Sequence, residues 1–408
     1  MQSLIFVFLK RRKNQGHPGK GVATGRTFLK GIGDGMLKEN ISLSQLLTLL
    51  INFLLGSAIV VGVGGNAKKD AWIAIAVAIL IGFCIMLFYY FLISRVPGKN
   101  FFEIMEFGFK RPLAIIFSIT YVVYFLYLAC RVVRDFGELI ASAILPSTPI
   151  EIISLTICLL MAYILYLGIE VLGRTSEIFT PYLFGFLFLL TILLFASGNA
   201  NLYEIKPVLG DGLKPVLNAL FPTLIVFPFG ELIAFTLILP VVTNFKYCLR
   251  VSLMGVGIAG ALLLFAMFLM IVTLGADALQ RSNFPMLSSA REVSIGNFIE
   301  RIDALVVFIM MLGILVKGSV FMFAGLKGLE YTFRLPYRYF SLPVAMIVSS
   351  FSILISVNFG DHWQEGLEMV PYFLHLPLQF GLPSLLLIAV LWKQRKKKAK
   401  PGVKGMKF

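Results

Sequence analysis

The chain has 408 residues, of which 58% are apolar and 14% are charged, and its mean hydropathy is +0.89. A water-soluble protein of this length needs far more charged residues to cover its surface, so the composition excludes that class and indicates one lipid-embedded domain. The net charge of +15 is concentrated in the two ends and in short connections, which indicates a lipid bilayer partner and no nucleic acid.

The two ends differ in composition from the rest of the chain. Residues 16–35 carry seven glycines among basic residues, and the last residues are rich in lysine. We therefore predict a basic, Gly-rich cytoplasmic tail without stable structure over residues 1–38. A transmembrane domain over 39–393 and a basic cytoplasmic C-terminal tail over 394–408 complete the predicted domain organisation.

Apolar runs of about 20 residues are long enough to cross a bilayer as helices. Ten such runs lie near 41–63, 71–94, 113–145, 150–168, 178–197, 215–240, 250–275, 301–332, 342–358 and 377–392. Their length and their lack of alternation exclude barrel strands, because backbone groups must be paired within each segment in lipid. The predicted fold class is all-α, a polytopic membrane protein of about ten transmembrane helices.

The distribution of Lys and Arg predicts the orientation. With the N-terminus in the cytoplasm, that side holds about 25 of these residues and the other side about 7. We therefore expect a multi-pass protein with both termini in the cytoplasm.

The sequence gives no support for an enzyme or for a cofactor. The longest connection, about 275–300, is too short for a catalytic domain, and the chain contains no GxxxxGK[ST], HExxH or GxSxG motif. Neither the cysteines nor the histidines have metal-ligand spacing; they are Cys84, Cys130, Cys158, Cys248, His17, His362 and His375. We place His362 and His375 in or near the last external connection.

Two apolar runs are interrupted at corresponding places. The first contains Gly56, Ser57, Ala58 and Ile59, and the sixth contains Phe227, Pro228, Phe229, Gly230 and Glu231. Runs one and six of ten cross in opposite senses, as a 5+5 inverted repeat requires, and matching breaks point to a central binding site. Freed amides and carbonyls at such breaks suit a small zwitterion such as an amino acid. The alternative is that glycine allows close helix packing and proline bends one helix.

Two charged residues lie within apolar runs. An ionisable group near the middle of a bilayer is costly unless it is paired or hydrated. Glu231 adjoins the sixth-run break, and Lys317 lies midway along the eighth run. We hypothesise that these two residues pair, with Glu231 also available to a ligand ammonium, a proton or unwound backbone.

The third run carries a polar stripe at helical spacing, with Tyr124, Tyr127, Arg131, Arg134 and Glu138 on one face. Asp135 lies one turn beyond Arg131, so the pairs Arg131–Asp135 and Arg134–Glu138 can form within the helix. The stripe could be a structural feature whose charges neutralise each other, or it could bind a ligand. The tyrosine hydroxyls could bind a carboxylate.

Several motifs together resemble a known family. They are Ile41-Ser42-Leu43-Ser44-Gln45-Leu46, Gly56-Ser57-Ala58-Ile59, Leu145-Pro146 with Thr148-Pro149-Ile150, Gly168-Ile169-Glu170-Val171-Leu172 with Arg174, Phe227-Pro228-Phe229-Gly230-Glu231, Phe284-Pro285 with Arg291, and Phe298-Ile299-Glu300-Arg301. Over roughly residues 38–395 the chain resembles the spore germination receptor B-subunit (GerAB-like) family of the amino acid/polyamine/organocation transporter superfamily. The resemblance implies a LeuT-like inverted-repeat fold, the spore inner membrane, an A-type membrane subunit and a C-type lipoprotein as partners, and sensing of a small germinant.

Two functions share this predicted fold and site. One is a receptor subunit that binds a germinant, typically an amino acid, and signals germination. The alternative is a proton- or cation-coupled amino acid transporter. The predicted ligand-binding residues are the same for both: Gly56, Ser57, Ala58, Ile59, Tyr124, Tyr127, Phe227, Pro228, Phe229, Gly230, Glu231 and Lys317.

Overall fold

A computed structural model describes residues 39–295, 299–300, 302–356 and 358–399, without the side chains of 294–300 and 397–399. The compact unit of the chain begins at Asn40. The predicted N-terminal tail, residues 1–38, and residues 400–408 of the predicted C-terminal tail lie outside the described residues.

Within the described residues, ten helices are long and apolar enough to cross a membrane, as predicted. They are α1 (Leu43–Val61), α2 (Gly65–Ser94), α3 (Arg111–Ala143), α4 (Ile150–Leu167), α5 (Ile169–Ala196), α6 (Lys214–Leu237), α7 (Phe245–Arg281), α8 (Asp303–Phe333), α9 (Tyr337–Leu354) and α10 (Pro371–Lys396). Helix α5 begins nine residues before the predicted run at 178, directly after Gly168. The first turns of α5 are helical but carry charged residues. A hydropathy window therefore places the start of the apolar run too late.

Short elements connect the long helices. They are the helices Phe101–Phe109, Leu202–Ile205, Pro285–Arg291 and Phe359–Gln364, the wide turn Glu365–Met369, and a two-stranded hairpin of β1 (Ser294–Ile295) and β2 (Ile299–Glu300). The strands pair antiparallel, Ser294 opposite Glu300 and Ile295 opposite Ile299. This hairpin is a small exception to the predicted all-α class.

Helices α1 and α6 run in opposite directions through the centre of the domain. The Ile41 amide donates to the Val241 carbonyl at 3.0 Å, and the Thr243 amide donates to the Ile41 carbonyl at 3.0 Å. The start of α1 therefore lies beside the end of α6, as the predicted inverted repeat requires. These two helices and α8 are the most buried of the ten, whereas α5 is largely exposed.

Helix α8 approaches the backbone of α1 at Gly313. A Cβ atom at Gly313 would lie 2.9 Å from the Gly56 Cα atom, closer than such atoms normally approach. Lys317, one helical turn later, is thereby brought to the same level of α1. The small residue at position 313 sets how closely α8 and α1 can pack.

Gly313→Ala should lower the thermal unfolding midpoint of the purified protein, because its methyl group would meet backbone that cannot rotate aside. Overpacking of this kind costs about 1–3 kcal/mol. Gly185→Ala in exposed α5 is the matched control, since an added Cβ there meets no described atom within 4 Å. Equal midpoints for the two variants would contradict the close approach of α1 and α8.

Candidate functional site

The predicted break in α1 is at Gly56. The first helical segment ends at Leu55 and the second covers Ala58–Val61, while Gly56 has φ 26° and ψ −123°. Backbone of this shape favours glycine, and a Cβ at Gly56 would also lie 2.5 Å from the Lys317 Cδ atom. The chain is therefore non-helical where the α8 lysine packs against it.

The predicted break in α6 is at Phe227 and Pro228. Phe227 has the extended values φ −132° and ψ 119°, and a second irregularity lies at Phe221 with φ −113° and ψ 128°. Proline removes a backbone donor and crowds the preceding turn, so a regular helix cannot pass through this position. A tighter 3-10 helix, Gly230–Leu237, continues beyond it.

Lys317 and Glu231 form an ion pair where the two breaks meet, as hypothesised from the sequence. The Lys317 Nζ and Glu231 Oε2 atoms are 2.7 Å apart, and the side chains are 0% and 4% exposed. The Lys317 nitrogen also lies 4.2 Å from the centre of the Phe227 ring and 5.5 Å from that of Phe53. Aromatic faces favour a nearby cation, so both rings help to stabilise the ammonium group.

A small cavity of about 40 Å³ lies beside this ion pair. Ser57, Phe227 and Glu231 line it from the two breaks. Further lining residues come from α3 and from residues 359–369, which we call the lid segment: Arg131, Asp135, Trp363, Gly366 and Leu367. Such a cavity has room for a few water molecules and not for an amino acid.

The other predicted site residues lie around this cavity. Ala58, Ile59, Pro228 and Phe229 line a second, smaller cavity of about 10 Å³ between α1, α2, α6 and α7. Gly230 packs against the side chain of Gln379. The structure thus brings Gly56, Ser57, Phe227, Glu231 and Lys317 together, whereas Ala58, Ile59, Pro228 and Phe229 face the second cavity.

Tyr124 belongs to a buried polar network that the sequence did not reveal. Its hydroxyl lies 2.8 Å from His375 Nδ1 and accepts a hydrogen bond from Gln379 Nε2 at 2.9 Å. The Tyr89 hydroxyl donates to the carbonyls of Gly230 and Gln379 at 3.0 and 2.9 Å. The network therefore connects α2, α3 and α10 with the break in α6.

His375 was expected in or near the external connection, whereas it lies within α10, because this helix begins at Pro371 and not at residue 377. His375 and Gln379 are one helical turn apart and both buried. Two polar side chains on one face of an apolar helix are the signal that could have identified them.

The polar stripe on α3 forms only one of its two possible internal pairs. Arg134 Nη2 lies 2.7 Å from Glu138 Oε1, as expected. Asp135 instead pairs with His362, whose Nε2 atom is 3.0 Å from Asp135 Oδ1. Arg131 donates to the His362 carbonyl at 2.8 Å and to the Tyr127 hydroxyl at 3.3 Å, so Tyr127 contacts Arg131 and does not line the cavity. The lid segment therefore supplies partners for Arg131 and Asp135, which do not pair with each other.

These groups can bind a polar molecule but do not form a metal site. Within the part of the chain that the structure describes, no three His, Cys, Asp or Glu side chains are grouped as metal ligands would be.

Lys317→Met and Glu231→Gln should each destabilise the protein, because each leaves an uncompensated charge in the core; breaking a buried pair in this way costs about 3–5 kcal/mol. The double variant should recover much of that loss, and a double-mutant cycle on unfolding measures the coupling.

Arg174→Gln is the control for this cycle. It removes the exposed Arg174–Glu170 pair on α5, whose closest atoms are 2.6 Å apart, and should change stability little. Strictly additive losses in the double variant would contradict the pairing of Lys317 with Glu231.

The chain is similar to spore germination proteins. The family described as spore germination protein matches residues 40–359. Spore germination protein KB of Bacillus subtilis (strain 168) is 32% identical over 377 residues, which is 91% of this chain and 100% of that protein.

Solved structures with the same fold are transporters. The nucleobase-cation-symport-1 family transporter Mhp1, closed with bromovinylhydantoin bound, has a TM-score of 0.61 and 13% identity, covering 89% of this chain and 93% of Mhp1. MhsT in complex with L-phenylalanine has a TM-score of 0.56 and 12% identity, covering 87% of this chain and 99% of MhsT. The fold is therefore the LeuT-like inverted repeat with broken helices α1 and α6, and the chain belongs to the spore germination protein family.

Proposed function

We propose that this chain is the membrane subunit of a spore germinant receptor and binds a small germinant, such as an amino acid, beside the breaks in α1 and α6. The observation that carries this proposal is the central cavity, where both breaks, a buried ion pair and the polar face of α3 meet. Membership of the spore germination protein family supports a role in germination.

The size of the cavity indicates how binding could produce a signal. An amino acid does not fit into about 40 Å³, so the helices or the lid segment must move when it binds. A ligand shifts an equilibrium by its difference in affinity for the two arrangements. A site that must widen to hold its ligand gives such a difference in affinity, which partner subunits could detect as a change in helix arrangement.

The ion pair disfavours Glu231 as the binding group for a coupling cation. A coupling cation must find an uncompensated negative charge or free oxygen ligands in the membrane. Glu231 already has the Lys317 ammonium group at 2.7 Å, so its charge is neutralised without an ion from solution. The transporter fold of the structural neighbours keeps transport as the competing function.

The proposed partners are an A-type membrane subunit and a C-type lipoprotein in the spore inner membrane, with both termini of this chain in the cytoplasm. The basic residues at both ends and the even number of membrane helices among the described residues support that orientation.

Purified protein in lipid nanodiscs should bind at least one of L-alanine, L-valine and L-leucine saturably, as measured with radiolabelled amino acids. The same protein in liposomes should not accumulate that amino acid under an inward proton or sodium gradient. Gradient-driven uptake would support the transporter instead, and no binding of any amino acid would contradict ligand recognition.

Ser57→Leu should abolish this binding, because the larger side chain would fill the cavity from the α1 break. Ser118→Leu is the matched control, since both serines are fully buried with hydroxyl groups that have no hydrogen-bond partner among the described atoms, but Ser118 does not line the cavity. Both variants should lose stability by overpacking. Equal loss of binding in two folded variants would place the ligand elsewhere.

A further inference from the structure

Arg131 and Asp135 lie one helical turn apart on α3 and both line the central cavity. Opposite charges at this spacing commonly pair with each other. Here they do not, and Arg131 has no carboxylate oxygen within 4 Å among the side chains that the structure describes. A cation and an anion therefore face one cavity at neighbouring positions, each available to a third group.

His362 of the lid segment is that third group in this structure. Its backbone carbonyl accepts a hydrogen bond from Arg131 Nη2 at 2.8 Å. Its Nε2 atom lies 3.0 Å from Asp135 Oδ1, and because a carboxylate can only accept, Nε2 carries the hydrogen. One buried residue thus offers an acceptor to the arginine and a donor to the aspartate.

The head group of an α-amino acid offers the same two functions with full charges, a carboxylate acceptor and an ammonium donor. Each hydrogen bond to His362 has only one charged partner, whereas the amino acid would bring a full opposite charge to both Arg131 and Asp135 and can therefore compete with the histidine. We propose that Arg131 and Asp135 bind the carboxylate and the ammonium group of an α-amino acid, and that His362 occupies both groups until the amino acid displaces it. This inference rests on the proposed function and names its ligand class.

His362 lacks one hydrogen bond in its buried position, which makes its displacement feasible. Its side chain is 0% exposed, yet its Nδ1 atom has no hydrogen-bond partner among the described atoms. A buried polar atom without a partner costs free energy, and release into water would recover that cost.

The remaining cavity wall indicates the kind of amino acid. Leu128, Val132, Val226 and Phe227 form its apolar part, and Ser57, Thr223 and His375 also line the cavity. An apolar side chain could pack against the apolar part of this wall. Glu231 is not needed for the ammonium group, because it is paired with Lys317.

Displacement of His362 would also open the cavity. Trp363 and Leu367 of the lid segment line both the central cavity and a neighbouring pocket of about 50 Å³, so they separate the two spaces. Gly366 lies against the Arg131 guanidinium group, where a Cβ would be 1.8 Å from Nη2. Movement of the lid segment away from α3 would therefore join the two pockets and make room for the ligand.

The first test is binding to purified protein in nanodiscs, with L-alanine, L-valine and L-leucine as probes. Each is compared with its amide, which lacks the carboxylate, and with propionate, isovalerate or isocaproate, which lack the ammonium group. Loss of either the carboxylate or the ammonium group should weaken binding by about ten- to a hundredfold, as expected when a hydrogen bond to a charged group is removed.

Variants identify which residue binds which end of the amino acid. Arg131→Gln should weaken binding of the amino acid by about ten- to a hundredfold but leave binding of the amide unchanged. Asp135→Asn should weaken binding of the amino acid to a similar extent but leave binding of the deaminated acid unchanged. Arg134→Gln and Glu138→Gln are the controls, because this pair is on the same helix and does not line the cavity.

His362→Phe tests the displacement step. The variant keeps a ring that can pack against Phe359, whose centre lies 5.7 Å from that of His362, and removes the donor to Asp135. Binding of the amino acid should become about two- to tenfold tighter, because one competing hydrogen bond is lost. Trp363 fluorescence in a Trp72→Phe, Trp392→Phe background should change on binding and report movement of the lid segment.

The outcomes separate this inference from the proposed function. If no amino acid binds to the wild type, both fail. If amino acids bind but their amides and deaminated acids bind equally well, or Arg131→Gln and Asp135→Asn behave like the control variants, this inference is wrong and the receptor proposal stands. Weaker binding by His362→Phe, or unchanged Trp363 fluorescence, would overturn the displacement step.

Discussion

The pairing of Lys317 with Glu231 is the constraint on which the centre of this structure depends. Two charges in a lipid-embedded core are tolerable only when they are close to each other and shielded from the hydrocarbon. That requirement fixes the level at which α8 lies against α6. It also requires space on α1, where Gly313 approaches the backbone of Gly56 and a Cβ at Gly56 would collide with the lysine stem. The break in α1, the close approach of α8 and the ion pair are therefore one packing arrangement.

That arrangement separates structural charges from charges available for recognition. Glu231 was one of two charged residues that the sequence places within apolar runs, and its negative charge is balanced by Lys317. The available polar groups are on the opposite wall of the cavity, on α3, where Arg131 and Asp135 contact a replaceable lid residue. The Lys317–Glu231 pair can keep the two helix breaks in place, because no ligand needs to break it. Meanwhile Arg131 and Asp135 on α3 can exchange His362 for a ligand. We therefore interpret the α6 carboxylate as part of the scaffold and the α3 stripe as the part that responds to a ligand.

Much of this fold could be predicted from the sequence because lipid leaves few alternatives. Ten apolar runs had to be helices, glycine and proline marked both breaks, and an isolated Lys317 required a distant acidic partner. The partners of Arg131 and Asp135 could not be predicted, because the two residues have the spacing to pair with each other and His362 is more than 200 residues away. His375 was misplaced since hydropathy does not locate the irregular first turns of α10, and Gln379 was missed because a single amide within an apolar run does not reveal its partners. Gly313 was missed because glycines in membrane helices pack in many ways, and only the neighbouring backbone identifies the essential one.

The position of the lid segment in the chain explains how a change at the cavity could reach other parts of the protein. Residues 359–369 lead directly into α10, which begins at Pro371. Gln379 of that helix donates to Tyr124, and its carbonyl accepts from Tyr89, which also donates to Gly230 beside the α6 break. The lid segment, α10 and the α6 break therefore share covalent and hydrogen-bonded contacts. A ligand that displaces His362 changes one end of α10 directly, and the buried network makes the rest of that helix and the α6 break respond together.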